Sequence, residues 1–144
     1  MSKASLILES LLNEAEGIGS KTFCAKLEAM VNSMIKTIGR GQLIIQYYSE
    51  LGKTHETVYV DYFNVPENKH GGANGQNNRF AFLVDNFGKT EDAPPPTGKV
   101  KFEMRINSYK DLPKPKGKTG TPEVILKYVF ELIKTFAAVE PNLR

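Results

Sequence analysis

Between residues 6 and 15 apolar side chains return at helical spacing, at Ile7, Leu8, Leu11, Leu12 and Ala15, before Gly17 and Gly19 interrupt the pattern. A longer stripe follows: Phe23, Leu27, Met30, Val31, Met34, Ile35 and Ile38. Lys21, Lys26, Asn32 and Lys36 fall on the opposite face of that segment. Ser20 stands where a side-chain cap would open this second helix, and Gly39 and Gly41 where it would stop. From residue 42 the period drops to two. Four segments rich in β-branched and aromatic residues read as strands, at 42–49, 57–64, 79–86 and 99–107. The short turn at 51–54 makes a hairpin of the first two. A last helix opens with Thr121 as cap and Pro122 at its first position. Its stripe is Ile125, Tyr128, Val129, Leu132, Ile133 and Phe136.

Helices that flank a run of strands predict an α+β fold. The sequence implies a four-stranded, mainly antiparallel sheet, with two N-terminal helices and one C-terminal helix packed on one face. Alternation assigns the faces. Val58, Val60, Tyr62, Phe80, Phe82, Val84, Val100, Phe102, Met104 and Ile106 point toward the helices. The outward set is Gln42, Ile44, Gln46 and Tyr48; Thr57, Tyr59, Asp61 and Phe63; Arg79, Ala81, Leu83 and Asp85; and Lys99, Lys101, Glu103, Arg105 and Asn107. The outer face therefore mixes aromatic rings with cations.

Three connections are long for so small a chain. Residues 66–78 are rich in Asn, Gln and Gly. Residues 88–98 hold Pro94, Pro95 and Pro96, which favour an extended, stiffened arm. Residues 108–121 carry Lys110, Lys114, Lys116 and Lys118 against Asp111 alone, so this loop accounts for the whole formal net charge of +3. Charge of one sign gathered in one place favours a charged partner more than the same charge spread evenly.

The 144 residues fit one domain, and 40% hydrophobic with 24% charged residues is a globular balance. There is no apolar run of membrane-spanning length and no secretory layout at the start, and the lone Cys24 allows no internal disulfide. These features favour the cytoplasm and no membrane partner.

Enzyme motifs are incomplete. Gly52-Lys53-Thr54, Gly88-Lys89-Thr90 and Gly117-Lys118-Thr119 resemble the end of a phosphate-binding loop. The glycine needed five residues earlier is Tyr47, Leu83 and Leu112 instead. Cys24, His55 and His70 are too few for a His/Cys zinc centre, and Cys24 falls beside the apolar stripe as a small hydrophobe. His55-Glu56-Thr57 lacks the second His-x-Thr that a two-histidine phosphoesterase would use. Asp85 with Glu103 is the one carboxylate pair that adjacent strands would bring together, as in a magnesium-dependent nuclease, with Arg105 where a lysine would be expected. No cofactor or metal is implied, and a binding protein fits the residues better than an enzyme.

The sequence thus favours a non-catalytic module for single-stranded DNA or RNA. Tyr48, Tyr59 and Phe63 would stack on bases. Arg79, Lys99, Lys101, Arg105, Lys110, Lys114, Lys116 and Lys118 would follow the phosphates. The alternatives are a protein-interaction or homo-oligomeric assembly protein, a homodimer through an exposed edge strand in the simplest case, and the metal-dependent nuclease.

Overall fold

The computed structural model describes residues 18–49, 51–66, 79–90, 92–108 and 114–138. In chain order these form helix α1 (Ser20–Ile38), strands β1 (Arg40–Ser49), β2 (His55–Pro66), β3 (Arg79–Gly88), β4 (Val100–Asn107) and β5 (Lys118–Gly120), and helix α2 (Pro122–Ala138). The expected helix at residues 6–15 lies outside the described residues. The strands form one antiparallel meander in the order β1-β2-β3-β4-β5. The fold is α+β as the sequence implies, with a fifth strand in place of a continuous basic loop. β5 has no apolar pattern of its own. It forms because the β4 edge offers backbone partners, pairing Val100 with Gly120 and Phe102 with Lys118.

Both described helices pack on one face, α1 over β1 and β2 and α2 over β4 and β5, and they touch each other. From α1, Phe23, Leu27, Val31 and Ile35 are buried; from α2, Ile125, Leu126, Val129, Ile133, Phe136 and Ala137. Ile38, expected in the α1 stripe, is exposed at the helix end. Gly39 ends α1 in the left-handed conformation, φ 80°, with its N–H bonded to the Ile35 carbonyl at 2.8 Å. Thr121 Oγ1 accepts from the Val124 N–H, so α2 is capped as the sequence predicts.

A row of rings crosses the sheet beneath the helices. Tyr62 and Phe80 lie 5.4 Å apart, Phe82 and Phe102 5.4 Å, and Phe102 and Tyr128 5.1 Å, while Phe136 of α2 sits 4.1 Å from Phe80. Such pairs contribute about 0.5–1.5 kcal/mol each beyond the area they bury.

Irregularities in the ladder decide which way several side chains face. Glu56 pairs with Phe87 and Val58 with Val84, so β3 carries an extra residue, where Asn86 adopts φ 76°. The bulge turns Phe87 into the core, 5.3 Å from Phe23. On β4 the extra residue is Arg105: Phe82 pairs with Met104 but Ala81 pairs with Ile106. Ile106, expected inside, therefore faces outward with Ala81. Asn107, expected outside, stands beside Phe80 on the helix side.

The start of α1 also departs from the expectation. Its N-cap is Gly19, which has no side chain to cap with, and the Ser20 hydroxyl donates instead to the buried Glu56 carboxylate. The cap comes from the segment between β3 and β4. Asp92 Oδ1 accepts from the Thr22 N–H and Oδ2 from the Thr22 hydroxyl, both at 2.8 Å. A Cβ at Gly19 would lie 2.2 Å from the Asp92 carbonyl carbon, and one at Gly88 2.6 Å from the Ala93 side chain, so two glycines let this segment close onto the helix. Pro94 to Pro96, expected in an extended, stiffened arm, thus belong to a segment docked on the fold, with Pro95 buried.

Slight burial pushes the Asp92 carboxyl up, but the Thr22 hydroxyl, the Thr22 and Gly19 N–H groups and the nearby Lys21 charge hold it below the usual carboxylate range. A depressed carboxylate stabilises the fold above the unfolded aspartate value of about 3.9, and this contribution disappears as pH falls through the lowered folded value. Asp92→Ala is expected to cost about 1 kcal/mol at neutral pH, as loss of a helix cap does. In chemical denaturation the difference from wild type should shrink in strong acid. Equal stability of the two proteins at pH 7 would exclude the capping role.

Candidate nucleic-acid interface

Directly paired residues of neighbouring strands share a face, so the ladder defines the outer surface row by row. Across β1 to β4 one row is Gln46, Tyr59, Leu83 and Glu103; the next is Ile44, Asp61, Ala81 and Ile106. Phe63 and Arg79 follow on one side, and Tyr48 with Thr57, then Asp85 with Lys101, on the other. The first-strand and second-strand faces are those the alternation predicts.

Of the three expected stacking rings, Tyr48 is 52% and Tyr59 41% exposed, whereas Phe63 is 4% exposed. Phe63 lies under Arg79, whose guanidinium carbon is 5.9 Å from the ring centre. It cannot itself stack on a base. It holds a cation in place instead.

Ala81 is the smallest side chain in its row, and its neighbours stand above it. The result is a hollow of about 380 Å³ lined by Tyr59, Asp61, Arg79, Ala81, Leu83, Arg105 and Ile106. This lies near the lower end of the range of about 300–1,000 Å³ typical of small-ligand sites. Ala81 and Leu83 make an apolar floor, Tyr59 an aromatic wall, and the two arginines a cationic rim.

The cations do not all lie on this surface. Lys99, just before β4, and Lys101 and Arg105 on it are exposed, and Glu103 lies between the latter two, 3.3 Å from Lys101 Nζ and 3.4 Å from Arg105 Nη2. Lys114 and Lys116 are exposed, and Lys114 lines a second hollow with Glu103 and Arg105. Lys118 departs from the expectation. Paired with Phe102, it points to the helix side, where its Nζ sits 4.6 Å from the Tyr128 ring centre. Lys110 lies outside the described residues.

No family model, curated protein or solved structure matches this chain. The chemistry of the face therefore has to be read from its own residues.

The carboxylates of the nuclease alternative are occupied. Asp85 Oδ1 accepts from the Thr57 hydroxyl at 2.6 Å and lies 2.9 Å from His55 Nε2, while Glu103 is held by its two cations. Among the described residues no group of three His, Cys, Asp or Glu side chains is placed to hold a metal. Cys24 is buried, and that burial, with Glu28 and Glu56 nearby, pushes its thiol up to about 12, so it stays protonated at neutral pH. No helix among the described residues is long and apolar enough to cross a membrane.

The sequence could not show the hollow, because Ile106 reaches it only through the bulge at Arg105. Nor could it single out Asp61, whose carboxyl is pushed up by burial, with Arg79 opposing the shift. A carboxylate with a raised folded value favours folding below its unfolded value and loses that benefit as pH rises through the folded one. Asp61→Asn should therefore leave the protein slightly more heat-stable than wild type at pH 7, by a few degrees at most, and no more stable at pH 3. A lower melting temperature for the variant at pH 7 would show that Asp61 is held by something other than this surface.

Proposed function

We propose that the protein binds single-stranded DNA or RNA on the outer face of its sheet, without acting on it chemically. One observation carries the reading. Tyr48 and Tyr59 stand exposed on the same face as Arg79, Lys101 and Arg105, and Tyr59 and the two arginines line a hollow with Ala81 and Leu83. A single strand presents both unpaired bases and phosphates. Stacking on an aromatic ring is worth about 1–3 kcal/mol per base, and cations follow the backbone. Lys114, which lines a hollow with Glu103 and Arg105, would extend the cationic track beyond β4 together with the exposed Lys116, and Lys99 lies at the opposite end of that strand. Asp61 and Glu103 set the limit on charge, so stacking has to supply much of the affinity.

A second reading, assembly with another copy as a homodimer, is favoured by a separate observation: the exposed apolar side chains concentrate around β1.

Titration of a fluorescent twelve-nucleotide oligothymidylate tests the first reading. Four phosphate contacts give a salt slope of about −2.8, hence about 50-fold weaker binding at about 200 mM salt than at about 50 mM. Tyr48→Ala or Tyr59→Ala should weaken binding about 5- to 160-fold and leave the slope unchanged. Lys114→Ala with Lys116→Ala should flatten it, whereas Lys118→Ala should change neither quantity. Absence of binding at low salt, or binding indifferent to both tyrosines, would sink the proposal.

A further inference from the structure

The hollow on the outer face sets three kinds of chemistry side by side. Tyr59 gives it an exposed ring, Ala81, Leu83 and Ile106 give it apolar contact, and Asp61, Arg79 and Arg105 give it charge of both signs. A surface that only followed phosphates would gain nothing from Asp61, which repels them. Asp61 pairs with Ala81 and Phe63 with Arg79, so Asp61 and Arg79 are diagonal neighbours on one face. Each keeps bonding capacity for a ligand. The Asp61 carboxylate is half-buried and feels the Arg79 charge, yet among the described residues no hydrogen-bond donor meets it. The Arg79 guanidinium lies over the Phe63 ring, which occupies its face and leaves the N–H groups around its rim. Arg105, by contrast, is engaged by Glu103.

A ligand that satisfies both groups must offer donors to the carboxylate and acceptors to the guanidinium, from a flat ring that can lie against Tyr59. The bases of a single strand differ in this respect. Guanine carries two adjacent donors on its Watson–Crick edge, N1–H and the N2 amino group, which match the two oxygens of a carboxylate. Its Hoogsteen edge carries two adjacent acceptors, O6 and N7, which match the fork of an arginine. Adenine and cytosine offer a carboxylate one amino group with an acceptor beside it. Thymine sets its one N–H between two carbonyl oxygens, which a carboxylate repels. We propose that the hollow is a guanine subsite, in which Asp61 accepts from N1–H and the N2 amino group, Arg79 donates to O6 and N7, and the base stacks on Tyr59. The proposal rests on the nucleic-acid reading and gives the strand-binding face a preferred base at one position. Phe63 holds the arginine in place before the base arrives, so less side-chain freedom is lost on binding. Tyr48 and the β4 cations remain for the neighbouring nucleotides.

The preference is read by titrating the full chain with a fluorescent oligothymidylate that carries one central guanine, beside strands with thymine, adenine or cytosine at that position. The guanine strand is expected to bind about 5- to 160-fold more tightly than the others, the discrimination of a good bidentate contact. Hypoxanthine, which lacks the N2 amino group, and 7-deazaguanine, which lacks N7, should each lose most of that gain. Asp61→Asn should bind the guanine and hypoxanthine strands alike. Arg79→Lys, which keeps the charge but not the fork, should bind the guanine and 7-deazaguanine strands alike. Both variants should still bind the all-thymine strand, which checks that they fold and that the rest of the face is intact. Guanosine monophosphate carries the same base without neighbouring nucleotides and should bind about 10-fold more weakly than the guanine strand, or weaker still. Equal affinity would make the ligand a free nucleotide and overturn the proposal. Equal binding of all four strands, or a preference for adenine or cytosine, overturns the guanine subsite and leaves the strand-binding reading standing. A guanine preference untouched by Asp61→Asn overturns it too, because the choice would be made elsewhere. Failure of every strand to bind removes both.

Discussion

Both described helices lie against one side of the sheet, and every strand sends alternate side chains to the other. That single constraint organises the molecule. On the covered side the chain assembles aromatic rings, from Tyr62 through Phe80, Phe82 and Phe102 to Tyr128, tied to α2 through Phe136. On the other side it has to build a surface that neither of these helices covers. It does so by sinking small or apolar residues into the middle, Ala81, Leu83 and Phe63, and ringing them with arginine, acid and tyrosine. The hollow is a by-product of that solution, and the proposed binding role makes use of it.

Departures from regular pairing matter as much as the pairing. One extra residue on β3 aims Phe87 at Phe23, and one extra residue on β4 aims Ile106 at the hollow. Each bulge inverts the two faces beyond it. The same strand can therefore serve the core along most of its length and the outer surface at its end.

Much of this was legible in the residues. The stripes of α1 and α2, the Gly39 stop, the Thr121 cap and the facing of β1 and β2 all follow from local periodicity and local chemistry. What stayed hidden depends on contacts between distant parts of the chain. β5 exists because β4 has an open edge beside it, not because Lys118, Thr119 and Gly120 favour a strand. The turn of Ile106 depends on one inserted residue that no glycine marks. Phe63 alternates correctly onto the outer face yet is buried there, because alternation assigns a side and says nothing about what lies above it. Lys118 belongs to a basic cluster in sequence but to a tyrosine ring in space. The candidate site was thus half visible: its exposed tyrosines, its β4 cations and the outward facing of Ala81 and Leu83, without Ile106 and without the burial of Phe63.

The capping of α1 by Asp92 has a consequence for the order in which the molecule is made. Donor and acceptor are separated by 70 positions along the chain, so a nascent polypeptide emerging from its N-terminus displays the helix long before it displays the carboxylate that closes its first turn. During that interval the segment has only its own weak propensity to rely on, since short helices are marginal in water. Its lasting order comes when the third strand is already synthesised and the following loop folds back. The first described element to be translated is in this respect among the last to be completed.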